Sequence, residues 1–600
     1  MQGRKWQATL VSIFYCCPLP PYGIYPQDMK EQWNIPETDR DASNNLSNHT
    51  GVSPVAAGLL IQRGFSSPET AANFLNPTLE TLRSPFLMKG MDDAVKRVVQ
   101  AIIEKENILV FGDYDVDGVT GTLVLVEFLK HCGAVVSYHI PHRIREGYSF
   151  KPRHVNELLK PQSIKLLITV DCGSDSCEAM ALCAEHGVDV VITDHHSVAD
   201  HPPQAVAIVN PKQKDCTAGL DHLAGVGVAF YLVIALRKTM RDMGFWKTIA
   251  EPNLKNACDL VALGTIADIV PLLHENRVLT KIGIDIINAS PRPGIKALMT
   301  VSRLNKDTLN AEDIAFRIAP RLNAAGRIDH ADLAFKLLSA KQEKEAKSLA
   351  KELDELNGKR QYIEQQILDE AEEYLLKTKG AADKPAIILH RQGWHLGVLG
   401  IVAAKLSRKY HKPAILIAFD GDTGKGSGRS VTGVNLYEAL AFCADSLKGF
   451  GGHAMAGGME IKIEKLYTFH NKLNEYVTEV TSKTPLVPQL DIHSRISFDD
   501  IKPDLLDELE KFQPFGSHNP EPLFIANDVN VVSALPVGEK HRRLVLTSLN
   551  GETDANFLAM HFHTETGTDY PGSFKHLVFR IQWNRWNNSK SPQIIIEDFV

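Results

Sequence analysis

The chain has 600 residues, 44% of them apolar and 23% charged, the balance of an ordinary globular protein of two to four domains. A formal net charge of −7 excludes a protein that coats nucleic acid by bulk charge, although a local basic groove stays compatible with it, because a carboxylate-rich metal site itself lowers the total. Nine cysteines without a paired CxxC set read as reduced thiols of a cytoplasmic protein, and no apolar run reaches membrane-spanning length.

The run ATLVSIFYCC, behind Arg4 and Lys5, is too short for a signal sequence, is broken by Pro18, Pro20 and Pro21, and lacks a small-residue cleavage site. Residues 1–28 are expected to be an over-extended start or a disordered tail, with Met29 a natural beginning. Residues 29–52 are polar and Asn-rich and extend the tail. From 53 to 106 the pattern is helical, with Ser67 capping a helix that has Pro68 at its first position.

From 107 strands and helices alternate. NILVFG is a buried strand, VTGTLVLVEFLKHCG a helix closed by Gly133, AVVSYHI and IKLLITVDCG strands, DSCEAMALCAEHG a helix and VDVVITDHH a strand. This alternation predicts a parallel α/β sheet, with its site at the carboxyl ends of the strands. Residues 222–340 read as helices. The polar segment from Lys341 to Lys377 carries Leu349, Leu353, Leu356, Ile363 and Ile367 at three/four spacing, one apolar stripe on a long connecting helix. Gly358 interrupts that stripe, which argues against a free-standing coiled coil. KPAIILH opens a second α/β unit that ends in two glycine-rich stretches, GKGSGRS and FGGHAMAGG. Beyond QPFGSHNPEP, short alternating strands predict a small all-β, OB-like domain.

Four acidic pieces carry the chemistry: Asp113, Asp115 and Asp117 in FGDYDVDG, Asp171 in ITVDCG, Asp194-His195-His196 in ITDHH, and Asp268 in GTIADIVPL. Taken singly each has a plain alternative. DxDxDG resembles part of a calcium loop, Asp171 would serve as a helix cap, a His-His pair is commonly surface or core, and Asp268 would be solvated or capping. Taken together, three of the four end predicted strands and point carboxylates into one crevice, where divalent cations are the simplest compensation. Oxygen-rich ligands with imidazole and no thiolate suit manganese or magnesium. The number of candidates exceeds what one octahedral ion accepts, so two ions and in-line phosphodiester hydrolysis are expected.

For the grip on a phosphodiester, Arg143, Arg327 and Arg429 are candidate phosphate contacts, with Ser427 and Ser430 as hydroxyl donors and His453 in a glycine-rich loop. Gly426 and Gly428 are expected to let backbone amides approach a phosphate. In the terminal β-domain, Arg542, Arg543, Trp583 and Trp586 combine cations with aromatic faces suited to single-strand stacking. The plain alternatives are surface ion pairs for the arginines and a core position for one tryptophan.

These motifs resemble the DHH phosphoesterase superfamily, whose signature stands here as Asp194-His195-His196. HLAGVGVAF, APRLNAAGRID, GWHLGVLGIVAAKLSRKYHKP, GSGRS and FGGHAMAGG extend the likeness to the RecJ family of single-strand-specific 5′→3′ exonucleases, from about residue 53 to the carboxyl end. After the tail (1–52), which lies outside it, the resemblance implies a DHH catalytic domain with a helical lead-in (53–340), a connecting helix (341–378), a DHH-associated domain (379–485) and an OB-fold domain (486–600). It implies that one Mn2+ or Mg2+ takes Asp115 and Asp171 with Asp113, and the other Asp117, Asp171, His195 and Asp268, with Asp171 bridging. His196, with Asp113, would serve the chemistry, His196 as a contact to the scissile phosphate or a proton donor. A 5′-phosphate pocket would set polarity. The implied partners are single-stranded DNA, single-strand-binding protein, helicases and mismatch-repair factors, with the chain a monomer in recombination and repair. Related activities on oligoribonucleotides or cyclic dinucleotides resemble only the two α/β units. Family II pyrophosphatases have a histidine where Asp113 stands, and inactive scaffolds of the superfamily lack the intact ligand set.

Overall fold

The computed structural model describes residues 32–37, 39–198, 200–304, 308–538, 540–549, 555–564, 570–586 and 589–600. The expectation for residues 1–28 lies outside these. The chain forms two compact units. One comprises 84–270 and 282–488; the other comprises 32–83, 271–281 and 489–600.

In the first unit, five strands form an all-parallel sheet in the order Val135–His139, Asn107–Gly112, Leu166–Val170, Asp189–Thr193, Ala207–Val209. The central strand Leu166–Val170 is buried along its whole length, as a strand covered by helices on both faces must be. Register then does the decisive work. Gly112 pairs with Val170 and Val170 with Thr193, so the residues that follow, Asp113, Asp171 and Asp194, leave adjacent strands at one level. Neighbouring strands are ~5 Å apart, which puts three acidic residues side by side at the carboxyl edge.

The expected connector is a continuous helix, Glu343–Lys377, that runs through Gly358. Its buried line is Ala346, Ala350, Leu353, Asn357, Glu364, Ile367, Ala371 and Leu375, so Leu349, Leu356 and Ile363 flank the seam rather than fill it. The polar members are satisfied: Arg360 donates to Asn357 (2.8 Å), and Lys405 pairs with Glu364 (2.6 Å). The last turns pack Ile367, Ala371 and Leu375 against Leu389, Val402 and Leu406 of the second α/β lobe.

That lobe has a five-stranded mixed sheet, Gly449–Gly452, Ala456–Lys462, Thr423–Arg429, Ala414–Asp420, Ile387–Gln392. Here one expectation is overturned. GKGSGR is not a loop but a central strand, hydrogen-bonded on both sides, so its alternate residues divide between the two faces. A Cβ on Gly426 would meet Ile417 and Met459 at about 3 Å, and one on Gly428 would meet Ile415 at 2.9 Å. These glycines make room for core side chains; their backbone is committed to the sheet.

In the second unit, Phe524–Val537, His541–Ser548, Phe557–Phe562, Ser589–Phe599 and Ser573–Trp586 close into a barrel, the last strand pairing back with the first, as expected of an OB fold. The tail reading is corrected for the described residues from 32 onward. Gln32–Asn34 is a strand paired with Gln489–Asp491, and Arg40–Thr50 is a helix capped by Asp39 and ended by Gly51. Polar composition hid this because only Ser43 and Leu46 of that helix are buried. The lead-in up to Arg83 is likewise not part of the first unit: Leu59, Leu60, Phe65 and Phe74 share one core with Leu505, Leu509, Phe512 and the barrel.

Arg277 pins that core. It is 2% exposed, lies 3.8 Å from the Phe74 ring centroid, and donates to the carbonyls of Phe74, Lys511 and Phe512 at 2.7–3.0 Å. Burial pushes its pKa down to about 9, so its charge is held by carbonyl dipoles and a π face rather than by a carboxylate. Lysine cannot reproduce a three-acceptor fork. Arg277→Lys is expected to lower unfolding stability by about 3 kcal/mol in urea titration.

Candidate metal centre

Each acidic residue at the carboxyl edge of the parallel sheet is placed by its neighbours in sequence. Asp115 caps the helix Val116–His131, accepting from Gly118 N–H at 3.0 Å. Asp117, in the first turn of that helix, accepts from Gly225 and Val226 N–H at 2.7 and 2.8 Å, the amino terminus of the helix Gly225–Asp242. That amino end carries partial positive charge and fixes the carboxylate. The glycine in HLAGVG is obligatory here, since a Cβ on Gly225 would lie 2.5 Å from Asp171 Oδ1. Asp171 itself has φ 62°, a left-handed conformation that costs a non-glycine residue about 1 kcal/mol or more and turns its side chain into the crevice. It does not cap the following helix; Ser176 precedes that helix at Cys177. Asp268 caps the carboxyl end of Cys258–Ala267.

The side chains converge. His195 Nε2 is 3.2 Å from Asp171 Oδ1, 3.5 Å from Asp268 Oδ2 and 3.9 Å from Asp117 Oδ2. Three overlapping groups offer ligand atoms within 4.8 Å of one another: Asp113, Asp115 and Asp171; Asp117, His195 and Asp268; Asp171, His195 and His196. Asp171 belongs to two of the three. Asp113 Oδ1, Asp171 Oδ1 and His195 Nε2 are buried without a hydrogen-bond partner. Burial, then the charges around them, pushes Asp113, Asp171 and Asp268 well above the usual carboxylate range and Asp117 to about 7. Burial drives His195 down to about 3, which leaves a neutral imidazole. Orphaned carboxylate oxygens around a neutral imidazole are the donor set of a hard divalent cation, and the residues present fit Mn2+ or Mg2+.

His196 differs from His195. Its Nδ1 is 2.8 Å from Asp194 Oδ1 and 3.1 Å from Tyr148 Oη, and its side chain is 35% exposed. Burial opposes its charge, but the hydrogen bond and charge of Asp194 outweigh it and hold the pKa at about 9. Asp194 also accepts from Ser174, His195 and His196 N–H, which keeps it far below the ordinary carboxylate range although it is buried. Asp194 and Tyr148 were not among the site residues expected from the sequence. Asp194 was read with its motif and given no role; Tyr148 lies in IPHRIREGYS, where only Arg143 was singled out.

The arginines form a cluster of their own. Arg143 lies over the Tyr114 ring, 4.9 Å from its centroid. Arg327 is pushed down to about 9 by burial and by Arg143, Arg360 and Arg429, a cluster of like charges that an anion would relieve. Its guanidinium donates to Gly397 O at 3.1 Å, and a Cβ on Gly397 would sit 2.1 Å from Arg327 O, so the glycine of GWHLG permits that approach. Asn323, of the same APRLNAAGR helix, accepts from Val116 N–H (3.3 Å), linking the arginine motif to the aspartate loop. Ser427 Oγ is 3.5 Å from Arg429. His453 is exposed in the turn after Gly449–Gly452, and its pKa is lowered by burial and then by the charges of His196 and Lys212.

Several residues expected to contact the strand are engaged within their own units. The Ser430 hydroxyl donates to Val434 O (2.7 Å) in its own turn, which makes it a structural serine. Trp583 packs against the barrel core, donates to Asp507 and lies under Lys590, the core position given above as its alternative. Arg542 donates to the adjacent His541 carbonyl (3.0 Å), and Arg543 lies on the strand His541–Ser548, half-buried. The side chain of Trp586 lies outside the described residues.

Three family models match the chain: the DHH family N-terminal domain over 107–265, the DHHA1 domain over 383–479 and the RecJ OB domain over 492–598. The single-stranded-DNA-specific exonuclease RecJ of Salmonella typhimurium is 35% identical over 95% of this chain and 99% of its own. That of Bacillus subtilis is 36% identical, covering 95% and 71%. The chain belongs to the RecJ family. A crystal structure of RecJ with Mn2+ from Thermus thermophilus superposes with a TM-score of 0.80 at 30% identity, covering 96% of this chain and 80% of that one. A second, with Mg2+ from the same source, gives 0.72 at 28% identity over 95% and 78%. Among the described residues no helix is long and apolar enough to cross a membrane.

In this RecJ-family chain Asp194 fixes the imidazole through Nδ1 and leaves Nε2 to face outward. Asp194→Asn is expected to leave Mn2+ affinity within about twofold by calorimetry while lowering kcat roughly 100-fold, because the ring loses its orienting charge.

Proposed function

We propose that the chain is a cytoplasmic, divalent-metal-dependent exonuclease that hydrolyses single-stranded DNA from its 5′ end, in recombination and repair. The observation that carries this reading is the juxtaposition of a crowded carboxylate cluster with a cluster of mutually repelling arginines in one unit. The first suits a metal-assisted attack on phosphorus; the second suits the non-reacting phosphates. Membership of a family of single-stranded-DNA-specific exonucleases selects the polymer.

In this reading Asp113, Asp115 and Asp171 hold one Mn2+ or Mg2+, and Asp117, Asp171, His195 and Asp268 the other. Bound cations would neutralise charge at the phosphoryl oxygens and activate the attacking water. His196, protonated and oriented by Asp194, donates Nε2–H to the scissile phosphate or to the departing oxygen. Arg143, Arg327 and Arg429, with Ser427, bind phosphates of the strand, and the half-buried Arg327 and Arg429 are the seat of the 5′ phosphate. His453 reaches the strand from its turn. Arg542 and Arg543 extend contact along the barrel. The chain acts as a monomer, and single-strand-binding protein, helicases and mismatch-repair factors are the partners this reading implies.

The test is release of acid-soluble label from 5′- and 3′-labelled single strands with Mn2+, against duplex and RNA of the same sequence. Label at the 5′ end is expected to be freed first from single-stranded DNA; equal release from RNA or from either end refutes the reading. His196→Ala should keep Mn2+ binding and lower kcat by ~10²–10⁴. Arg327→Ala and Arg429→Ala should each raise KM for 5′-phosphorylated strands ~10-fold or more without weakening Mn2+ binding; unchanged rates on such strands would count against the 5′-phosphate seat.

A further inference from the structure

The segment His142–Ser149 joins the sheet edge to the next helical turn and carries two residues that face the site. Arg143 lies over the Tyr114 ring, within electrostatic reach of Asp113, Arg327 and Arg429. Tyr148 sets its hydroxyl 3.1 Å from His196 Nδ1 and 3.4 Å from Asp171 O. Nothing apolar anchors the segment between them: Ile144 is 41% exposed, and Arg145 is exposed.

What holds it is polar and converges on one carboxylate. Glu146 Oε1 accepts from His142 N–H at 2.8 Å. Glu146 Oε2 lies 3.0 Å from His139 Nε2 and 3.3 Å from His154 Nε2. The two imidazoles are themselves fixed. Both pack on the Phe111 ring, His139 stacked at 5.5 Å and His154 at 5.0 Å between centroids. His154 is fully buried; its Nδ1 accepts from Lys151 N–H at 3.0 Å, and its Nε2 lies 3.3 Å from Glu146 Oε2 and 3.4 Å from Arg153 Nε. The far end of the segment is fastened by Ser149, whose hydroxyl meets Asp175 Oδ1 (2.7 Å) and Ser176 Oγ (2.8 Å), in the turn that follows Asp171. Lys151 Nζ donates to the Glu146 carbonyl (2.8 Å), and Arg153 to that of Arg145 (3.1 Å).

The carboxylate is engaged at both oxygens, by His142 N–H at one and by the His139 imidazole at the other, with the His154 ring beside it. A glutamine of the same size would turn an NH2 toward an N–H on one side and leave that donor unpaired. The fold beneath, built on Phe111, Phe150 and the sheet, does not depend on this tie. We propose that Glu146 is a positioning residue: its carboxylate clamps the His142–Ser149 segment so that Arg143 is presented to the strand and Tyr148 to His196. The inference rests on the reading of Arg143 as a contact to a strand phosphate.

The full chain is assayed with Mn2+ on a 5′-phosphorylated oligonucleotide, using Glu146→Gln, Arg143→Ala, Tyr148→Phe and the double variants of Glu146→Gln with each. Glu146→Gln is expected to raise KM roughly tenfold and to lower kcat severalfold, with thermal midpoint and Mn2+ affinity retained. Its effect on KM should vanish in the Arg143→Ala background and its effect on kcat in the Tyr148→Phe background. Unchanged constants in Glu146→Gln, effects that multiply with those of Arg143→Ala, or a loss that tracks a fall in thermal midpoint each overturn the inference and leave the proposed function standing. An Arg143→Ala variant with unchanged KM removes the phosphate reading of Arg143, and the inference with it.

Discussion

Five aspartates crowd about one neutral imidazole at the edge of a parallel sheet, and that repulsion is what the first unit is built to contain. Two like charges 4 Å apart cost about 4 kcal/mol at an effective dielectric of 20. No stack of hydrogen bonds on one side of the cluster removes such a term. The chain supplies what it can. Gly225 and Val226 amides hold Asp117, the Gly118 amide holds Asp115, and Asp171 accepts a left-handed backbone to reach the crevice. The oxygens that remain without partners, on Asp113 and Asp171, are those aimed inward. Compensation must come from cations, and the arrangement is of use only when they are present.

Sheet register explains why residues so far apart in sequence share this burden. Asp113, Asp171 and Asp194 each follow a strand residue paired level with its neighbour, so strand alternation and the buried Val/Ile/Leu runs place them together. That much was legible in the sequence, because a strand ending in an acidic residue is a local pattern. Asp268 was legible only in company, since the end of a helix says nothing of its partner across the crevice. Asp194 and Tyr148 were not assigned roles for a different reason: their work is to orient His196, and an orienting contact has no spacing signature.

The misread segments fail along one line, which is that composition does not reveal pairing. GKGSGR has the glycine content of a loop, yet its alternation of small and polar residues is that of a strand with one face pressed on Ile415, Ile417 and Met459. Arg40–Thr50 has the polarity of a tail, yet Asp39 and Gly51 cap it and Leu46 buries against a core contributed largely by residues beyond 490. Ser430 and Trp583 have the right functional groups, but the turn at Val434 and the pair Asp507 and Lys590 claim them first. Partners that composition does not reveal decided each case.

The net charge of −7 and a polyanionic substrate are reconciled by segregation rather than by total. Burial, and then repulsion from Arg143, Arg360 and Arg429, lowers Arg327 to about 9, a strain that an anion would relieve. The aspartates are relieved by cations. Each half of the site is thus poor in counter-charge by itself, and each is completed by a different component of the reaction. Such a division disfavours a bare duplex surface, whose charges are met by exposed lysines over a broad face, and favours a single chain end threaded between two narrow, opposite fields. It also assigns the glycines of HLAGVG and GWHLG their purpose. Gly225 lets a helix terminus touch Asp171, Gly397 lets a carbonyl take up Arg327, and a methyl group at either position would push its field away from the strand.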